Sequence, residues 1–260
     1  MNALKKIARI VFLLIAFISV SSELAAQRRV VNHLPRFDKE PYHFGFIIAL
    51  NQMNLTYKPV DNYQSIVFNE KNTDQLIPSN SSFLVREVTA KPIPGFGVGI
   101  VGNLRLNDFF DLRLVPTLSF GERIFIYKPN NMISNSLKPI DEIRLKLPSY
   151  SVDIPLMIKF RSKRYNNFAS YLLVGLKYSL EMAANKNNIR NQKALLKFDR
   201  NDLAIDVGVG FDFYTPYFKF GTELKMSYGL RNILIKDDLV YSQVIDRINN
   251  KMFQLAFTFE

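Results

Sequence analysis

The chain has 260 residues, a formal net charge of +11, 48% hydrophobic residues and no cysteine or tryptophan. Without cysteine, disulfides, thiolate metal sites, cysteine nucleophiles and lipid attachment through cysteine are excluded. The basic balance is compatible with a nucleic-acid footprint. However, the excess positive charge gathers in Arg28–Pro41, in Arg161, Lys163 and Arg164, and in Lys186–Arg200, without the interleaved aromatics of a strand-binding groove. These stretches read as solvated turns and loops, some near anionic membrane surfaces, and no nucleic-acid partner is expected.

The first 26 residues read as a secretory signal peptide. Lys5, Lys6 and Arg9 form the positive region, Ile10–Val20 the apolar region, and Leu24-Ala25-Ala26 the cleavage site. No run is long enough for a transmembrane helix. Residues 27–41, QRRVVNHLPRFDKEP, read as an extended, aperiodic periplasmic leader.

From residue 42 onward the pattern has period two, the signature of strands. Strand 1 is expected over Tyr42–Tyr57, with Phe44, Phe46, Ile48 and Leu50 on one face. Lys58–Pro92 reads as a long polar loop with some β character. Strand 2 (Ile93–Leu106) alternates Phe96, Val98, Ile100 and Leu104 with Gly95, Gly97, Gly99 and Arg105. The turn at Asn107-Asp108 leads to strand 3 (Phe109–Tyr127), locally weakened by Pro116. Lys128–Leu145 is a second long loop. Next comes the clearest pair, Tyr150–Phe160 and Phe168–Leu180, joined by RSKRYNN. Each strand exceeds the five or six residues usual in soluble sheets. Met182–Asn201 is a third long loop. Strands Asp202–Tyr214 and Tyr217–Leu230 flank the turn Thr215-Pro216. A fourth loop, Arg231–Asn250, leads to the last strand, Lys251–Glu260.

Eight strands joined by alternately long and short connections describe an all-β, up-and-down transmembrane barrel. Both termini and the short turns would be periplasmic. A lipocalin-like soluble barrel would put the apolar face inward, but an eight-stranded interior is just wide enough to be filled by side chains. Five large apolar residues per strand would overfill it. The opposite face carries Gly95, Gly97, Gly99, Gly121, Gly175, Gly208, Gly210 and Gly221. It also carries Arg105, Asp111, Arg113, Asp153, Lys159, Lys177, Asp206, Asp212, Lys219, Glu223 and Lys225. These would form a plugged lumen of paired charges, with Glu223 in a structural pair rather than a proton relay. Tyr42, Tyr57, Tyr127, Tyr150, Tyr178, Tyr214, Tyr217 and Tyr228 lie near strand ends and are expected in interfacial girdles.

The histidines are His33 and His43, and neither stands beside a serine at the outer rim, so no catalytic constellation is expected. No nucleotide loop or metal-ligand spacing occurs. Gly95-x-Gly97-x-Gly99 lies inside a strand and reads as lumen clearance. No catalytic, cofactor-binding or metal-binding residue, no cofactor and no small-molecule substrate is expected.

Several stretches are similar to the PorT (SprT) family. They include VDIPLMIKF, SKRYNN and ASYLLVGLKYSLE between Leu147 and Glu181, DLAIDVGVGFDFYTPYFKFGTELKMSYG ending at Gly229, the terminal KMFQLAFTFE, and LPRFDKEPYHFGFIIALN at Leu34–Asn51. The resemblance covers most of residues 27–260 and is weakest in Lys58–Pro92 and Lys128–Leu145. It implies an integral outer-membrane component of the type IX secretion system of Bacteroidetes. That machinery exports proteins with C-terminal secretion domains, gliding adhesins among them. Partners implied are the lipid bilayer and other secretion proteins, reached through the leader, turns or loops. The family has no established catalytic residues to carry over. A general structural or adhesive outer-membrane barrel is the alternative.

Overall fold

The computed structural model describes residues 31–65, 68–69, 82–130, 142–182, 196–236 and 240–260. The signal peptide assigned from sequence lies outside these residues. Leu34–Glu260 forms one compact unit, and it is this unit that follows.

Its strands are β1 (Tyr42–Pro59), β2 (Phe68–Asn69), β3 (Ser82–Arg105), β4 (Phe110–Leu114), β5 (Thr117–Asn130), β6 (Ile143–Arg161) and β7 (Phe168–Glu181). They continue with β8 (Lys197–Phe198), β9 (Asn201–Tyr214), β10 (Lys219–Gly229), β11 (Leu234–Ile235) and β12 (Ile245–Phe259). All pairings are antiparallel. β1 pairs with β12 on one side (Phe46 opposite Phe259) and with β3 on the other (Phe46 opposite Ile100). The remaining ladders run β3 to β4 and β5, then β6, β7, β9, β10 and β12. The sheet therefore closes on itself with eight staves, β4 and β5 together making one. The eight staves expected from alternation are all present.

The break between β4 and β5 falls at Val115-Pro116. Proline has no N–H for the ladder, yet its carbonyl still accepts from the Ile100 amide at 3.0 Å. Both pieces pair with β6, so the stave is kinked rather than lost.

Alternation fixes the two faces. Outward-facing Tyr42, Phe44, Phe46, Ile48 and Leu50 on β1 are all exposed, and the run continues as Phe96, Val98 and Ile100 on β3, Leu172, Val174 and Leu176 on β7, and Leu203, Ile205, Val207 and Val209 on β9. The eight residue-to-residue steps from Tyr42 to Leu50, at about 3.4 Å each and tilted about 40°, give a band roughly 21 Å tall, close to the roughly 25 Å apolar band of membrane barrels.

The strand bounds at the end bearing the short turns and both strand termini (the turn end) match the sequence reading. Those at the opposite, loop end do not. There β3 begins at Ser82, β6 at Ile143 and β12 at Ile245, each earlier than alternation of large apolar residues suggested. β8 and β11 form a separate two-stranded pair, and a short helix spans Val240–Gln243. Segments read as long loops thus fold into a cap. Val85, Val88, Phe125, Tyr127, Leu145, Leu196, Ile233, Leu234, Val244, Ile245 and Ile248 bury one another in a core that resembles a soluble protein's. Burying side chains of this size stabilises by about 1.5–3 kcal/mol each.

Candidate functional site

Among the described residues, the lumen gathers most of the buried charged side chains. Its middle is filled by side chains from the small-and-charged face. Arg113 of β4 is fully buried, with Nη1 2.7 Å from Glu223 Oε1 and Nη2 3.5 Å from Glu260. Lys225 lies 3.3 Å from Glu223, and the Tyr171 hydroxyl donates to the same carboxylate at 2.8 Å. Lys159 pairs with Asp212 at 2.7 Å and sits 3.7 Å above the Tyr171 ring. Lys219 pairs with Glu260 at 2.7 Å. Nearer the loop end, Lys177 donates to Ser227 at 2.8 Å and lies 4.0 Å from Asp206, while Ser119 donates to Asp153 at 2.6 Å. A buried charge without a partner would be strongly disfavoured in such a place. The network supplies those partners, and Glu223 is a structural anchor as the sequence suggested.

The glycines on this face make room for the network, but also for neighbouring backbone. A Cβ on Gly210 would collide with the Tyr171 ring, so Gly210 is the seat of the tyrosine that holds Glu223. At Gly99 the obstacle is the Pro116 carbonyl of the adjoining stave, so this glycine permits close strand approach as well as lumen clearance.

Toward the loop end a small polar cavity is lined by Arg123, Asp153, Lys177 and Asp202 and roofed by Phe198 and Ile233. The Arg123 guanidinium is buried against Met53, with Nη2 3.8 Å from Sδ. Above it lies the apolar cap. The loop end is thereby closed over a polar chamber.

The turn end is closed too. Residues 27–41 were read as extended and aperiodic, and the positive turn Arg161–Arg164 as solvated. Within the described unit neither holds. Leu34 has φ 49°, the left-handed region uncommon for a residue with a side chain, and its carbonyl accepts from the Phe37 amide at 3.2 Å. Phe37–Lys39 then forms a 3-10 turn. Asp38 Oδ1 accepts from Arg161 Nη1 at 2.9 Å and from the Tyr214 hydroxyl at 2.7 Å, while Oδ2 lies 3.6 Å from Arg164 Nη1. The two arginines are therefore spent on the chain's own leader, and Lys163 alone of the three basic residues is exposed.

Phe37 stacks on His43, ring centroids 4.0 Å apart, and His43 Nε2 donates to the Phe37 carbonyl at 2.6 Å. His43 is thus a packing and hydrogen-bonding residue of the turn end. His33 lies just before this unit. Among the described residues no cluster of three His, Asp or Glu side chains is arranged to hold a metal ion.

The tyrosines divide. Tyr42, Tyr150, Tyr178, Tyr217 and Tyr228 are exposed near the band edges, as interfacial girdles require. Tyr57, Tyr127 and Tyr214 turn inward instead. Tyr57 donates to the Val88 carbonyl at 2.6 Å, Tyr127 is buried in the cap, and Tyr214 holds Asp38. Their odd or even position along the strand, not nearness to its end, decides this.

Among solved structures the chain is similar to the outer membrane protein OprG from Pseudomonas aeruginosa, at 12% identity and TM-score 0.40 over 83% of this chain and 95% of that one. It is also similar to Neisserial surface protein A, at 11% identity and TM-score 0.39 over 85% and 99%. A third is Ail, the attachment invasion locus protein of Yersinia pestis, at 11% identity and TM-score 0.33 over 85% and 98%. No curated protein matches by sequence. The family model described as the outer membrane protein beta-barrel domain matches residues 49–234. That match spans most of the staves described above, and the chain belongs to the outer membrane protein beta-barrel domain family.

Proposed function

We propose that this chain is a non-enzymatic accessory of type IX secretion. In this reading it is exported by a signal peptide cleaved after Ala26 and anchored in the outer membrane, with its turn end in the periplasm and its loops outside. The observation that carries the accessory role is the sealed lumen. The apolar cap, the Arg113–Glu223–Glu260 network and the Phe37–Asp38 turn block it in succession. An eight-stranded barrel filled in this way has no passage for a protein, so any part it plays in export is played by contact. The link to secretion itself rests on the PorT-like stretches in the hairpin Tyr150–Leu180, in the run ending at Gly229 and at the C-terminus. A general structural barrel is the second reading, favoured by the breadth of the matched domain family.

Deletion of the gene, followed by fractionation, separates the two. The accessory role predicts that proteins with C-terminal secretion domains accumulate unprocessed in the periplasm and that the intact gene restores their export. Normal surface delivery in the deletion strain removes the secretion role and leaves the structural barrel.

A further inference from the structure

The leader crosses the mouth of the barrel. β1 and β7 are four staves apart in either direction around the ring. The chain enters β1 at Tyr42, yet Asp38 is held by Arg161, Arg164 and Tyr214, which lie on or beside β6, the β6–β7 turn and the end of β9. Leu34 reaches the same side, where its carbonyl accepts from Arg164 Nη1 at 3.2 Å.

The barrel surrounds this short turn with two complementary surfaces. One takes a carboxylate: Arg161 and Arg164 converge with the Tyr214 hydroxyl on Asp38, and the Arg164 guanidinium is itself fixed over the Tyr214 ring at 3.7 Å. Guanidinium donors arranged around a carboxylate in a fixed geometry are directional and select for the carboxylate. The other takes an aromatic ring: His43 stacks on Phe37, Tyr214 meets it edge-on at 6.2 Å, and the Lys219 ammonium lies 4.7 Å from its centroid. Arg36 and Lys39, on either side, are exposed and make no part of either surface.

We propose that the turn end of the barrel is a binding site for an adjacent aromatic–aspartate pair, filled in this chain by Phe37–Asp38 and open to the same pair presented by a partner peptide. The site's own occupant defines its ligand class. Its setting makes exchange feasible. The Asp38 and Arg161 side chains retain 25% and 12% exposure, whereas Arg113 and Glu223 in mid-lumen retain none. Ion pairs at a wet mouth are individually weak and screened by salt, so the segment can leave without unfolding the staves. This inference does not rest on the secretion role.

The test uses the full chain refolded in detergent micelles, with a heat-dependent gel shift confirming the barrel. Trypsin cleavage at Arg36–Phe37 reports release of the segment. Asp38→Asn is expected to speed that cleavage about tenfold, and Tyr214→Phe, which removes one donor only, by a smaller factor. A labelled peptide of the sequence Leu34–Lys39 is then titrated. Saturable binding is expected to the Phe37→Ser/Asp38→Asn chain, whose site is empty, and not to the unaltered chain. Replacing the peptide's aspartate with asparagine should weaken binding about tenfold. Unchanged cleavage in Asp38→Asn overturns the inference, as does equal binding of a scrambled peptide or equal binding to the filled and emptied barrels.

Discussion

Glu223→Gln is the sharpest probe of how this barrel is held together. In the native chain the Glu223 carboxylate meets Arg113 at 2.7 Å, Lys225 at 3.3 Å and the Tyr171 hydroxyl at 2.8 Å, and it is wholly buried. The amide keeps the shape and one acceptor oxygen but removes the charge. Arg113 is left with Glu260 at 3.5 Å as its carboxylate partner, and Lys225 loses the carboxylate beside it. Breaking a buried pair from one side costs about 3–5 kcal/mol, because the partner charge stays buried. Removing both sides costs much less, since well-packed apolar replacements remove the desolvation penalty as well. Equilibrium urea unfolding in lipid vesicles, followed by the gel shift between folded and unfolded barrel, measures both. Glu223→Gln should lower stability by about 3–5 kcal/mol, and Arg113→Met/Glu223→Leu by clearly less than the two single changes summed. A loss below about 1 kcal/mol for Glu223→Gln, or strict additivity in the double variant, would show that the network is water-filled and weakly coupled, and would refute the argument.

Further outcomes follow from the same geometry. Gly210→Val should abolish folding by displacing the Tyr171 ring, and adding Tyr171→Ala should restore a folded barrel, read by the same gel shift. Phe125→Ala, at a fully buried position in the cap, should cost about 3–5 kcal/mol, visible as faster amide exchange in the β3 and β5 extensions while the stave centres stay protected. Val207→Arg, in the apolar band, should cost about 2–4 kcal/mol by vesicle unfolding, while Thr56→Arg, beyond the band, should cost about 0–1 kcal/mol. Equal costs at the two positions would mean that the apolar face does not meet lipid.

The staves were legible because a bilayer outside and a polar lumen inside impose period-two contrast over ten residues or more, as in Phe168–Leu180. Pro116 announced its own kink. The cap was hidden because that contrast vanishes where water replaces lipid. The extension of β3 reads Arg86, Glu87, Thr89 and Lys91 among apolar residues, and the cap core joins Val85, Phe125, Leu145 and Ile245 from distant parts of the chain. The charged face was readable as a set but not as pairs, since Arg113 and Glu223 lie on staves that alternation cannot place across the lumen from each other. The turn-end site was out of reach for the same reason. Asp38 and Arg161 are 123 positions apart, and only closure of the ring brings the leader across to the turn that holds it.

The apolar cap, the Arg113–Glu223–Glu260 network and the Phe37–Asp38 turn together leave the lumen no continuous water path. Ion conductance of the full chain in a planar lipid bilayer tests this closure most directly. The structure predicts no resolved openings above the bare membrane. A steady conductance through the unaltered chain, of a size that needs a continuous water-filled lumen, would contradict it.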